Sequence, residues 1–306
     1  MTGVLRGGVV GAGVFGAFHA RQYARLPGVT LAAVFDPDLS RAKALAEPLG
    51  GQGFDRMDAF LAAVDVVTIA SPAVVHGEQA LVAIAAGKPV YVEKPIAVTV
   101  DEAEAIAEAA RAKGLVVACG HQERALFQAI GLFDVPEPPR RLEAVRHGTP
   151  SDRNLDVSTV LDLMVHDLDL ALALCDGEPV SAEGEGTRVP PGSWDTAVAE
   201  VTFDDGFVAA FDVSRCAPER RRTMRLVYSS GEVQIDFLSR SFRNTTAWPL
   251  NRDFAETPAA RDPLAVSLQS FLAAVRGEAP APLVGARDAA RAVDLALGVE
   301  QALEQG

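Results

Sequence analysis

Val9-Val10-Gly11-Ala12-Gly13-Val14-Phe15-Gly16 is the stretch that decides the fold of the first part of this chain. An apolar run precedes it and a helical pattern follows it, which predicts a strand, a glycine turn and a helix. Gly11 permits a sharp turn off the strand, Gly13 lets a pyrophosphate approach the backbone, and Gly16 lets the helix pack closely on the sheet. The N–H groups that begin such a helix favour phosphate. We therefore predict a dinucleotide contact at Gly11, Gly13, Val14, Phe15 and Gly16.

A second apolar run, from Val29 to Phe35, ends in Asp36. At this distance from the glycine turn, a carboxylate binds the ribose hydroxyls of the adenosine half of a dinucleotide. An ordinary tight turn followed by a surface aspartate is the alternative, but the two features together favour the dinucleotide site. A carboxylate repels a 2′-phosphate, and the next residues, Pro37 and Asp38, supply no cation. The sequence therefore predicts NAD, with NADP disfavoured.

Length and composition indicate a globular protein with room for two domains. The chain has 306 residues, of which 49% are hydrophobic and 23% charged. Its net charge of −13 opposes binding to nucleic acid. We recognise no signal peptide and no apolar run long enough to span a bilayer. The three cysteines lie far apart and suggest buried thiols in a reducing cytoplasm, with no metal site.

The order of the predicted elements gives the fold class. Strands and helices alternate to about residue 120, which predicts an N-terminal doubly wound parallel (Rossmann) sheet, an α/β architecture. Residues 121–306 predict an α+β domain with a mostly antiparallel open sheet, because Asp204-Asp205-Gly206 and Ser229-Ser230-Gly231 resemble hairpin turns. The last helix, about 286–303, is a candidate to pack back on the first domain. An antiparallel sheet needs only one covered face, so we expect a homodimer or homotetramer formed through this sheet.

Chemistry-bearing residues follow the predicted parallel strands, where α/β sheets bind their ligands. Glu93-Lys94-Pro95 ends one strand, and lysine is a residue whose proton affinity neighbouring charges can tune. A surface lysine paired with its own glutamate is the alternative. Ser71-Pro72 with His76 ends another strand, although His76 could simply cap its own helix. We assign Ser71, Pro72, His76, Glu93 and Lys94 to cofactor binding.

A strongly apolar helix predicted over 157–174 carries the second set. Asp162, His166 and Asp169 share one face at helical spacing. Charged groups on a largely buried helix need partners or a wet cavity, so an exposed surface pair is disfavoured. A histidine held by an aspartate is a common general base, and we expect Asp162 to orient His166. Substrate contacts are predicted for His121, Glu123, Arg124, Arg153 and Asp169.

These motifs together resemble the glucose–fructose oxidoreductase / inositol dehydrogenase / rhizopine catabolism family over nearly the whole chain. The resemblance implies hydride transfer between a nicotinamide cofactor and a sugar or cyclitol carbon. It also implies Lys94, Asp162 and His166 as the catalytic residues, often a cis peptide before Pro95, and pairing of subunits through the open sheet. Whether Lys94 or His166 accepts the proton stays open.

A narrower similarity is to the branch that acts on UDP-N-acetylglucosamine at C3. It rests on Gly120-His121, Glu123-Arg124 and the helix with Asp162 and His166. That branch typically continues with Phe-Asn-Pro, whereas here Ala125-Leu126-Phe127 follows Arg124. The prediction is therefore a nucleotide-sugar dehydrogenase, with three alternatives: a dehydrogenase of a free sugar or cyclitol, an NAD-dependent glycosidase, and a non-catalytic NAD-binding regulator.

Overall fold

A computed structural model describes residues 3–150, 156–188 and 192–305 of the chain. The chain divides into two compact units. The first consists of Met1–His121 and Leu264–Ala290, and the second of Gln122–Pro263 and Arg291–Gly306. The predicted division at residue 120 into separate domains, with the last helix packing back, stays a prediction.

The first unit contains a six-stranded sheet in the order β3-β2-β1-β4-β5-β6, in which every neighbouring pair is parallel. Its strands are β1 (Leu5–Val10), β2 (Val29–Phe35), β3 (Gln52–Phe54), β4 (Val66–Ile69), β5 (Val90–Val92) and β6 (Val117–Cys119). All residues of β4, β5 and β6 are buried, as expected of parallel strands covered on both faces. The strand order reverses between β1 and β4, so the predicted Rossmann sheet is confirmed.

Helices connect these strands, and capping residues define both ends of α5. The α-helices of the described residues are α1 (Val14–Arg25), α2 (Leu39–Ala46), α3 (Met57–Ala63), α4 (His76–Ala85), α5 (Val100–Lys113), α6 (Glu123–Ile130), α7 (Val165–Leu174), α8 (Pro258–Arg261), α9 (Pro263–Arg276) and α10 (Ala286–Leu303). Thr99 caps α5 by accepting a hydrogen bond from the Glu102 N–H at 3.2 Å. Gly114 ends the same helix in the left-handed conformation, with φ of 62°. None of the helices in the described part of the chain is long and apolar enough to cross a membrane.

The second unit contains a seven-stranded sheet in the order β13-β12-β11-β7-β10-β9-β8. Its strands are β7 (Arg141–His147), β8 (Pro179–Arg188), β9 (Trp194–Phe203), β10 (Val208–Ser214), β11 (Arg221–Tyr228), β12 (Gly231–Asp236) and β13 (Ser241–Asn244). Only β7 and β10 pair in parallel, so the predicted mostly antiparallel sheet is confirmed. Asp204-Asp205-Gly206 joins β9 to β10, and Gly206 has φ of 87°. Along β7 buried residues alternate with half-buried ones, which shows that one sheet face meets the core.

Several local features differ from the sequence analysis. The strands β3 and β13 were not predicted, because three or four residues are too few to show a hydrophobic period. The helices α6 and α8 were also not predicted, although the buried residues of α6 follow a helical spacing. The predicted single helix over 157–174 begins instead with a π-helical turn, Val160–Met164, and continues as α7. A single π-helical turn at one end of an α-helix is too short to change the apolar pattern, so the sequence does not reveal it.

Candidate active site

The glycine turn lies at the carboxyl end of β1 in the first unit. Gly11 has φ of 100°, and a Cβ at this residue would lie 2.7 Å from the Ala70 carbonyl oxygen. A Cβ on Gly16 would lie 1.8 Å from the Gly11 carbonyl oxygen, so helix and turn are packed too closely for any side chain. A Cβ on Gly13 would meet nothing within 4 Å, which leaves open space beside the start of α1. This open space at a helix N-terminus fits a dinucleotide pyrophosphate.

Asp36 is buried beside this turn, and backbone groups hold its carboxylate in place. It accepts hydrogen bonds from the N–H groups of Ala12 at 2.9 Å and Asp38 at 3.0 Å. Arg41, in the first turn of α2, places its Nη1 atom 3.9 Å from the Asp36 carboxylate. The sequence analysis considered only Pro37 and Asp38 and missed this cation, which reaches Asp36 because a helical turn follows the strand.

His76 connects two strand ends of the first unit. It is 2% exposed, with Nδ1 2.8 Å from the Pro95 carbonyl oxygen and Nε2 2.9 Å from the Ser71 carbonyl oxygen. The Lys94–Pro95 peptide is cis, as the resemblance implied. His76 therefore ties the end of β4 to the segment that carries Lys94, and its predicted contact with the cofactor stays a prediction.

Glu93 precedes Lys94 and is buried against His19 of α1. The His19 Nε2 atom lies 2.6 Å from the Glu93 carboxylate, and both side chains are nearly inaccessible to water. Burial alone would raise the pKa of Glu93, but the hydrogen bond and charge of His19, with Lys94 and His76 nearby, lower it. The carboxylate therefore stays charged next to Lys94. The sequence analysis assigned no role to His19.

Two further predicted residues lie at strand ends of the first unit. Ser71 follows β4 and donates a hydrogen bond to the Gln79 carboxamide oxygen at 2.6 Å. His121 follows β6 and is 1% exposed. Because β4, β5 and β6 are adjacent in the sheet, Ser71-Pro72, Glu93-Lys94 and His121 lie at neighbouring strand ends, as the sequence analysis expected.

In the second unit, Glu123 binds His166. Glu123 begins α6 and accepts a hydrogen bond from Nδ1 of His166 at 2.8 Å. The carboxylate at Nδ1 therefore comes from a different helix, and the expectation that Asp162 helps to orient the His166 ring stays a prediction. Asp162 lies in the π-helical turn and is 8% exposed. Glu123 was predicted as a substrate contact, and its pairing with His166 was missed.

Arg146 of β7 holds Glu123 from its other side. Its Nη1 atom donates to Glu123 at 2.9 Å, while Nε and Nη2 donate to the two oxygens of Asp167 at 2.9 and 2.8 Å. Burial would raise the pKa of Glu123, but the positive charges of His166 and Arg146 outweigh burial and hold it well below its usual range. Burial would lower the pKa of Arg146, but the charges and hydrogen bonds of Asp167 and Glu123 outweigh burial and raise it. Glu123 is thus a fixed negative charge against the His166 ring.

Arg124 and Asp169, both predicted as substrate contacts, bind each other. Arg124 donates to the two Asp169 oxygens at 2.8 and 2.7 Å, and Asp169 is 1% exposed. The remaining predicted contact, Arg153, lies outside the described residues. Within the described ranges no group of three or more His, Cys, Asp or Glu side chains is arranged to hold a metal ion.

Comparison with known protein families matches both parts of the chain. Residues 5–121 match the oxidoreductase family with an NAD-binding Rossmann fold, and residues 127–234 match the GFO/IDH/MocA C-terminal domain. The two matches cover the six-stranded sheet and most of the seven-stranded sheet.

Individual relatives match over the whole length. The chain is 35% identical over 313 aligned residues to UDP-N-acetylglucosamine 3-dehydrogenase of Acidithiobacillus ferrooxidans, covering 98% of this chain and 99% of the relative. A crystal form of that enzyme, GnnA, superposes with a TM-score of 0.89 at 34% identity, covering 100% and 99% of the two chains. The WlbA dehydrogenase of Bordetella pertussis, solved with NADH and UDP-GlcNAcA, shares the fold at 17% identity, with a TM-score of 0.88 and coverage of 100% and 97%.

Proposed function

We propose that this chain, which belongs to the GFO/IDH/MocA family of NAD-binding oxidoreductases, oxidises the C3 hydroxyl of UDP-N-acetylglucosamine to a ketone. The observation that carries the proposal is the 35% identity, over 98% of the chain, to an enzyme with this activity. In the reaction the C3 carbon loses a hydride and its hydroxyl loses a proton. NAD, when bound, supplies the hydride acceptor.

The first unit would hold NAD at the carboxyl ends of β1 and β2. Gly11, Gly13 and Gly16 leave room for the pyrophosphate, and Val14 and Phe15 at the start of α1 are 47% and 42% exposed. Asp36 would accept hydrogen bonds from the adenosine ribose hydroxyls and disfavour a 2′-phosphate. Ser71, Pro72, His76, Glu93 and Lys94 complete the proposed cofactor contacts.

We assign the proton transfer to His166. Donation from Nδ1 to Glu123 selects the tautomer whose Nε2 carries a lone pair, and Nε2 takes the proton of the C3 hydroxyl. Glu123 stabilises the imidazolium that forms, and Arg146 keeps Glu123 charged and oriented. Asp162 contacts the reacting group in this proposal. Lys94 favours the developing alkoxide charge or, as the alternative, accepts the proton itself.

Substrate binding is proposed for His121, Glu123, Arg124, Arg153 and Asp169. The Arg124–Asp169 pair is bidentate and buried, and it joins α6 to α7. We propose that the polar atoms of this pair also contact the sugar. Glu123 would act on substrate through His166. We therefore expect changes at Arg124 to affect KM and changes at Glu123 to affect kcat.

The open face of the seven-stranded sheet is the proposed subunit interface of a homodimer or homotetramer in the cytoplasm. This face carries a ladder of cross-strand ion pairs, among them Arg141–Glu200 at 2.8 Å and Arg225–Glu143 at 3.0 Å. Val198 lies beside them and is 50% exposed. Light scattering on the purified protein tests the assembly: a monomer would contradict it.

The function is tested by incubating the purified protein with NAD and each candidate substrate while recording NADH absorbance. The candidates are UDP-N-acetylglucosamine, free N-acetylglucosamine, UDP-glucose and myo-inositol. We expect net NADH with UDP-N-acetylglucosamine, released together with a 3-keto product. NADH from the free sugar or inositol alone would favour the free-sugar dehydrogenase. Substrate cleavage without net NADH would indicate the glycosidase, and NAD binding without turnover the regulator.

A further inference from the structure

Arg222 of β11 lies directly opposite Arg146 of β7 in the antiparallel register of the second sheet. Residues in such a pair point to the same face of the sheet with Cβ atoms about 4.5–5.5 Å apart. Two arginines opposite each other repel, so this arrangement costs free energy unless anions compensate it. The pair therefore needs a source of negative charge.

The hydrogen bonds that the structure shows for the two neighbouring carboxylates, Glu123 and Asp167, go to residues other than Arg222. Arg146 and His166 occupy the two oxygens of Glu123, and Arg146 binds both oxygens of Asp167. In the part of the chain that the structure describes, the buried Nε atom of Arg222 has no hydrogen-bond partner. A buried donor without an acceptor is costly, and more so on a charged group. Arg222 thus has one buried donor, Nε, for which the neighbouring side chains that the structure describes supply no acceptor.

Burial and two neighbouring cations act on Arg222 against the two carboxylates. Burial lowers the pKa of Arg222, and the charges of Arg146 and Arg220 lower it further, while Glu123 and Asp167 only partly oppose them. Arg220 is exposed and two residues earlier in the chain.

We propose that Arg222, assisted by Arg220, forms an oxyanion subsite that binds the anionic group of the substrate next to the His166–Glu123 pair. The proposal deepens the proposed function and rests on it, because UDP-N-acetylglucosamine carries a diphosphate. The UDP-GlcNAcA bound by the WlbA dehydrogenases carries a ring carboxylate in addition. Either group accepts two N–H···O bonds from a guanidinium. Arg222 is thereby a determinant of nucleotide-sugar specificity, acting on binding rather than on proton transfer.

The test measures binding of two probes to the NAD-loaded protein by calorimetry: UDP, which has the diphosphate but no sugar, and N-acetylglucosaminuronic acid, which has the carboxylate but no phosphate. Arg222→Gln should weaken binding of one of them by about 10- to 100-fold, the loss expected for a charged hydrogen bond. Arg220→Gln, at an exposed position, should give a smaller loss. Arg221→Gln is the matched control, since Arg221 is exposed and points to the opposite sheet face.

Weaker UDP binding identifies the diphosphate as the ligand, and weaker binding of the uronic acid identifies the carboxylate. The proposal is overturned if the unmutated protein binds neither probe, or if Arg222→Gln and Arg220→Gln bind both as the unmutated protein does. If Arg222→Gln does not fold, Arg220→Gln and the charge-preserving Arg222→Lys decide the question. NADH formation from UDP-N-acetylglucosamine by the unmutated protein is scored separately, so that failure of the subsite and failure of the function are distinguished.

Discussion

Nδ1 of His166 donates a hydrogen bond of 2.8 Å to Glu123, a residue 43 positions earlier in the chain and on a different helix. The other Glu123 oxygen accepts a hydrogen bond from the buried Arg146. A carboxylate held in this way sets the tautomer of the histidine and favours its protonated form. This relationship supports the proposed role of His166 as general base and leads to the first two predictions.

Removing the base or its orienting carboxylate should reduce turnover to different extents. His166→Ala should lower kcat by about 10²–10⁴-fold, the usual cost of losing a general base, with little change in NAD affinity. Glu123→Gln keeps an acceptor for Nδ1 but removes the negative charge, so we expect a smaller loss in kcat. Lys94→Ala should reduce kcat and also disturb cofactor binding, since Lys94 follows a strand of the NAD-binding unit.

Turnover and the NAD dissociation constant are measured for each variant, with thermal midpoints to verify folding. Glu256→Gln is the control, because Glu256 is exposed and pairs only with exposed Arg261. Normal turnover in folded His166→Ala would exclude His166 as the base and leave Lys94 and His121 as candidates. A Glu123→Gln variant as active as the control would exclude the orienting role.

The lowered pKa of Glu123 predicts a loss of stability in acid. Because the folded-state pKa lies well below the ordinary value of 4.5, its contribution is fully present above that value. It is lost as the pH falls from about 4.5 through the folded-state pKa. We expect the thermal midpoint of the unmutated protein to fall more steeply below about pH 4.5 than that of Glu123→Gln. Identical pH profiles for the two proteins would contradict this assignment, and Glu256→Gln should follow the unmutated profile.

Arg146→Met should destabilise the second unit strongly. The substitution removes the cation that pairs with the buried carboxylate of Asp167 and with one oxygen of Glu123. Removing one partner of a buried ion pair lowers the free energy of unfolding by about 3–5 kcal/mol. Arg56→Met is the control, since Arg56 and its partner Asp58 are 74% and 69% exposed and the pair is screened by water. The free energy of unfolding from denaturant titration should fall for Arg146→Met and stay near the unmutated value for Arg56→Met. Equal effects would show that the buried network does not stabilise the fold.

Cofactor preference should depend on Asp36. NAD is expected to bind more tightly than NADP. Asp36→Ala should reduce the difference between the two affinities, because it removes both the contact with the ribose and the repulsion of a 2′-phosphate. Asp36→Ala should also weaken NAD itself, because Asp36 accepts the Ala12 N–H in the glycine turn. Any NADP affinity that Asp36→Ala gains should disappear in Asp36→Ala/Arg41→Ala, since Arg41 is the adjacent cation. Calorimetry that finds NADP binding to the unmutated protein as tightly as NAD would refute the assignment.

Local chemistry in the sequence determined the fold class and the cofactor. The turn at Gly11 to Gly16, the buried runs of β4 and β5, and the hairpin turn before β10 each depend on neighbouring residues, so their patterns are readable along the chain. The position of Asp36 could also be predicted from local sequence, because the strand β2 places Asp36 at a defined distance from the glycine turn. The family resemblance supplied Lys94, Asp162 and His166 as a catalytic set.

Only the tertiary structure decided which charges meet. Helical spacing suggested Asp162 as the partner of His166, whereas the Nδ1 hydrogen bond goes to Glu123 of α6, a helix that was not predicted. The pairing of Arg124 with Asp169 and the register that sets Arg222 against Arg146 likewise join residues distant in sequence. The interaction of a buried charge with a partner depends on their distance and on desolvation in the folded state. Neither quantity can be read from the spacing of residues along the chain.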